Sequence, residues 1–149
     1  MPPAPAQVSA LDDALKALKG LQSVVSGGVS YRDYAPRVTD AKIIVDRYLG
    51  QPERGDAAQR ATIAGAMRFY VLAASGWNAW VSNPGGYALA VDDAWAREQC
   101  PAVKHAVAAD IMKMFSLPRG AAGLRFEGPP AFWSCAADKI VEAERVISR

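Results

Sequence analysis

The sequence predicts an all-α protein: a single-domain, up-down helical bundle of about five helical segments, the third of them, near residues 56–81, central. Three observations carry this. Tyr31, Tyr34, Val38, Ala41, Val45 and Tyr48 recur in steps of three and four, the spacing that lines one face of a helix. Two similar runs occur elsewhere, and strict two-residue alternation is nearly absent. At 149 residues, 51% hydrophobic and 21% charged, the chain is long enough to bury a substantial core and too apolar for disorder.

Residues 1–8 are Pro/Ala-rich and read as a disordered N-terminal segment, leaving residues 9–149 as the bundle domain. The first helix begins near Ser9, an N-cap type with Asp12 three residues on. Its stripe is Leu11, Leu15, Leu18 and Leu21 or Val25, with Lys16 and Lys19 facing water. Gly27 and Gly28 end it, because glycine accepts the left-handed backbone of a helix C-terminus. Ser30, with Asp33 in the capping-box position, starts the second helix. Pro36 falls in its second turn, where it removes one hydrogen bond, and Gly50 and Pro52 stop it.

Asp56 is expected to cap the third helix. Ile63, Met67, Tyr70, Ala74, Trp77 and Val81 form one stripe there, and Ala66, Phe69, Ala73 and Trp80 a second. Apolar residues around most of its circumference imply several neighbours. Gly65 and Gly76, with alanines and Ser75, keep part of its surface thin. After the turn Asn83-Pro84-Gly85-Gly86 a fourth helix starts near Tyr87, and Pro101 predicts a break just after Cys100. Residues 116–130 form the longest irregular stretch. A fifth helix follows from about Ala131, with Ile140, Val141, Ala143 and Ile147 inward.

Composition excludes several functions. Net charge is +2 and no dense Lys/Arg block exists, so neither nucleic acid nor an anionic membrane surface is an expected partner. No segment is apolar enough to span a bilayer. There is no GxSxG, no phosphate-cradling glycine loop and no Glu-x-x-His motif. Neither catalytic residues, metal nor cofactor is expected. His105 reads as a surface residue.

Cys100 and Cys135 are too far apart for a CxxC motif. They are either two buried thiols in a cytosolic protein or one disulfide in an exported one. The Pro/Ala-rich start resembles that of a mature secreted chain whose signal peptide an initiator Met replaces, so a Cys100–Cys135 disulfide and a periplasmic or secreted location are expected.

Two surfaces are candidates for recognition. On the second helix Asp33, Arg37, Asp40 and Arg47 alternate in sign, and Arg37 or Arg47 could grip a carboxylate or phosphate. The bland alternative is a solvated face of self-paired charges. Among the aromatics, Trp77, Trp80, Tyr87 and Trp133 could form a sticky patch or line a pocket, although large rings more often fill the core. Trp80 and Trp133, near predicted helix ends, are the ones expected to be exposed.

The function these features favour is non-enzymatic: an exported helical protein that binds another protein or serves as an accessory subunit of an envelope complex. The alternative is a carrier of a small apolar ligand, with a pocket between the third, fourth and fifth helices. An enzyme built on the Tyr/Arg/Asp group of the second helix ranks below both.

Overall fold

The computed structural model describes residues 5–51, 57–116 and 126–147. Among them every regular element is helical. The elements run α1 Pro5–Ser26, α2 Tyr31–Leu49, α3 Ala57–Ser82, a 3-10 turn Pro84–Gly86, α4 Tyr87–Ala90, α5 Ala94–Gln99, α6 Pro101–Ser116 and α7 Gly128–Ile147. The third predicted helix is indeed the centre: α3 touches α1, α2, the 3-10 turn, α4 and α7, most extensively α7.

The heptad of α2 faces the core as its spacing requires. Tyr34, Val38, Ala41, Val45 and Tyr48 are buried, and Tyr31 is half-buried at the start. Ser30 caps the helix, its Oγ accepting from the Asp33 amide at 3.3 Å. Pro36 lies inside α2 on an exposed position, where the ring meets solvent instead of a neighbouring helix. Gly28, at φ +87°, makes the turn from α1, a backbone only glycine adopts without strain. At the other end of α2, Arg60 reaches across from α3 and donates to the carbonyls of Tyr48 and Leu49. A cation thus closes the negative end of the helix.

The thin stripe of α3 is used by side chains rather than by a neighbouring backbone. A Cβ on Gly65 would sit 3.0 Å from the Trp95 ring, and one on Gly76 would sit 2.6 Å from Val91. These glycines make room on α3 for the Trp95 ring of α5 and for Val91 just after α4.

Four boundaries differ from expectation. α1 starts at Pro5, so Ser9 lies within it, while residues 1–4 and the expected cap Asp56 lie outside the described residues. The predicted fourth helix is three. Its break after Cys100 is present, with Pro101 opening α6, but a second break at residues 91–93 lets Asp93 cap α5 by accepting from the Ala96 amide at 2.9 Å. α7 begins at Gly128, ahead of Ala131, because Pro129 and Pro130 fall in its first turn, where no intrahelical N–H is required. Most of the 116–130 stretch lies outside the described residues, as does the Ile147 side chain. Ile140 and Ala143 are buried as predicted, but Val141 is 46% exposed, and so is Val81 at 57%.

Candidate functional site

Three polar clusters and one disulfide tie the helices together, and they decide which predicted residues remain free for function. The first joins α2, α3 and α7. The Tyr34 hydroxyl donates to the Tyr70 carbonyl at 2.8 Å and accepts from Trp133 Nε1 at 3.0 Å. A tyrosine in place of leucine at this heptad position therefore links three helices through one oxygen. Burial pushes the Tyr34 hydroxyl well above its ordinary pKa. The neighbouring Tyr70 hydroxyl, buried without a hydrogen-bond partner among the described residues, is pushed up to about 12 by burial.

The second cluster centres on Asp110, which is fully buried. Its carboxylate accepts the Tyr87 hydroxyl at 2.6 Å, the Glu127 amide at 2.6 Å and the Gly128 amide at 2.7 Å. The sequence before α7 contains no Ser, Thr, Asp or Asn at its start, so α6 supplies the cap. The carboxylate sits at the positive end of the α7 dipole, which offsets part of its desolvation. Burial, then the bond to Asp110, raises the Tyr87 pKa far above ordinary.

The third cluster is nearer the surface. Arg68 donates to Asp93 through Nε and Nη2, at 3.1 and 2.7 Å, and lies 4.7 Å over the Trp95 ring. Burial alone would raise the Asp93 carboxyl. The Ala96 amide and Arg68 overcome that and hold it below the usual carboxylate range.

The structure pairs Cys100 with Cys135, with Cα atoms 6.1 Å apart, a normal span for a disulfide. It fastens the α5–α6 break to α7.

The aromatic candidates divide. Tyr87 is fully buried and committed to Asp110, so it presents nothing to a partner. Trp133 and Trp80, expected at the surface, are only half-exposed. Trp133 is held by Tyr34, and Trp80 stacks on Phe126 at 5.0 Å with Tyr87 at 5.2 Å beyond it. Trp77 lies among Tyr31, Tyr34, Phe126 and Trp133, all within 5.9 Å. The rings meet one another because the ends of α2, α3 and α7 converge there.

The charged candidates remain open. Asp33 and Arg37, one turn apart, do not pair; Asp33 accepts from the Ser30 hydroxyl at 3.2 Å. Lys42 and Asp46 do pair, at 2.5 Å. Arg37 and Arg47 are exposed and make no ion pair among the described residues. Arg37 lines a shallow groove of about 640 Å³ between the end of α1 and the start of α2, with Arg32, Asp33 and Asp40. His105 is exposed. Among the described residues no three His, Cys, Asp or Glu side chains gather as a metal site, and no helix is long and apolar enough to cross a membrane.

A further surface was not anticipated. Trp80, Tyr87, Phe126 and Asp110 meet at one end of the bundle. Val81, Leu89, Met112 and Phe115, each within five residues in sequence of one of those anchors, are exposed by 57–85%. Comparison with protein-family models, curated proteins and solved structures finds no match for this chain.

Proposed function

We propose that this chain is an exported, non-catalytic interaction protein that contacts another protein, as an accessory subunit of an envelope complex, through the apolar end of its bundle. The observation carrying this is the exposure of four large apolar side chains, Val81 on α3, Leu89 on α4 and Met112 and Phe115 on α6, the elements whose Trp80, Tyr87 and Asp110 close that end. Single exposed apolar residues are ordinary, whereas clustered ones mark contact surfaces. The strongest polar groups support a non-catalytic reading, because Tyr34, Tyr87 and Asp110 are consumed in joining helices. The Cys100–Cys135 pair supports export, since disulfides persist in oxidising compartments.

A photo-crosslinking amino acid at position 115 or 89, in protein produced by its native cells, should give a discrete adduct that the same probe at exposed Lys16 does not. Equal or absent adducts at all three positions would sink the proposal. Carriage of a small apolar ligand is the second reading, favoured by the grouped, half-exposed rings of Trp77, Trp80 and Trp133. It predicts a change in Trp emission on adding a long-chain fatty acid.

A further inference from the structure

We infer that a second copy of this chain docks antiparallel along the outer face of α2. The buried heptad fixes which residues point away from the core. At 3.6 residues per turn, the stripe diametrically opposite is Pro36, Asp40, Ile43 and Arg47. All four are exposed, Ile43 by 56%. Asp40 and Arg47 have no ion-pair partner among the described residues, although Lys42 and Asp46 pair beside them.

An antiparallel two-fold between Ile43 and Ile44 places Asp40 opposite Arg47 of the second copy. The symmetry makes the reciprocal pair at the same time, with the exposed Ile43 of each copy level with the half-buried Ile44 of the other. No other simple pairing of this stripe on itself does this: a parallel arrangement sets Asp40 against Asp40 and Arg47 against Arg47. The same register carries the C-terminal end of the second α2 toward the groove whose walls include Pro36, Arg37 and Asp40. Arg47 of each copy thus comes level with Asp40 at the rim of a groove that also holds Arg32, Asp33 and Arg37. One helix face with two ion pairs makes a small contact, so the expected association is weak and salt-sensitive. The inference is independent of the apolar end.

Sedimentation equilibrium of the oxidised protein from 5 to 200 µM, in about 50 mM salt, should show a reversible monomer–dimer exchange. Asp40→Lys should weaken it about tenfold or more, with an unchanged melting curve because the residue is exposed. Adding Arg47→Asp in the same chain should restore it by exchanging the charges. A wild type that stays monomeric throughout, a dimer indifferent to Asp40→Lys, or a charge-swapped chain that stays weak overturns the inference. So does a dimer abolished by Phe115→Ser and not by Asp40→Lys, since the contact would then be at the other surface.

Discussion

Replacing Asp110 by Ala tests the tie between α6 and α7. The carboxylate has three donors: the buried Tyr87 hydroxyl and the amides of Glu127 and Gly128. A buried hydroxyl left without an acceptor costs about 1–3 kcal/mol. Losing a helix N-cap costs about 1 kcal/mol, and here two first-turn amides lose their acceptor together. Relief from desolvating the carboxylate offsets part of this. The net expectation is a loss of about 2–3 kcal/mol, or roughly 8 °C in melting temperature for a chain of this size.

Tyr87→Phe alone removes one bond and leaves Asp110 its two amides, so about 1–2 kcal/mol is expected. Because the two residues share that bond, the double variant should fall short of the sum by about 1 kcal/mol. Urea unfolding followed by circular dichroism measures all three. A loss below about 1 kcal/mol for Asp110→Ala, or strict additivity in the double variant, would refute the capping argument.

Gly128→Ala should be at least as damaging, because its Cβ would overlap the Tyr87 hydroxyl and stand 3.1 Å from Asp110; thermal melts check it, and wild-type stability would mean the approach is looser than described. Intact mass before and after alkylation, without reductant, should show no free thiol in protein from an oxidising compartment. Reduction of Cys100–Cys135, whose sequence separation is 35, should cost up to about 4 kcal/mol in the chain-entropy model. Alkaline pH should unfold the protein. Tyr34, Tyr70 and Tyr87 have raised folded-state pKa values, so their stabilisation is complete below about pH 10 and is lost above it, by up to about 1.4 kcal/mol per tyrosine per pH unit. Tyrosinate absorbance should therefore rise together with loss of helical signal; ionisation of these tyrosines without unfolding would contradict their burial.

Much of the architecture can be read in the sequence, for reasons that differ from element to element. α1, α2 and α3 are long and bury continuous stripes, so periodicity outweighs local exceptions such as Pro36. The spacing of Cys100 and Cys135 left both two thiols and one disulfide open, and the structure pairs them. The interruption at residues 91–93 was not legible, because it depends on Asp93 finding Arg68 on a distant helix and on Gly65 and Gly76 letting that segment approach. Nor was the start of α7: a helix opening with Gly-Pro-Pro carries no cap of its own. Its partner was nevertheless visible as an anomaly, a carboxylate at position 110 within the apolar run Val107, Ile111 and Met114.

The same logic explains the misplaced aromatics. Nearness to a helix end suggested exposure for Trp80 and Trp133, but in a bundle several helix ends meet, and a ring at one end can be enclosed by the others. Trp133 is held by Tyr34 from α2, and Trp80 by Phe126 just ahead of α7. Exposure passes instead to residues one or two positions beyond each anchor, Val81 after Trp80 and Leu89 after Tyr87. The surface proposed to meet a partner is thus carried by the same elements, α3, α4 and α6, as the cluster that closes the bundle. That geometry ties the two together: a substitution that loosens Asp110 or Tyr87 should also disorganise the apolar end, whereas Leu89→Ser should spare the fold and remove only the contact.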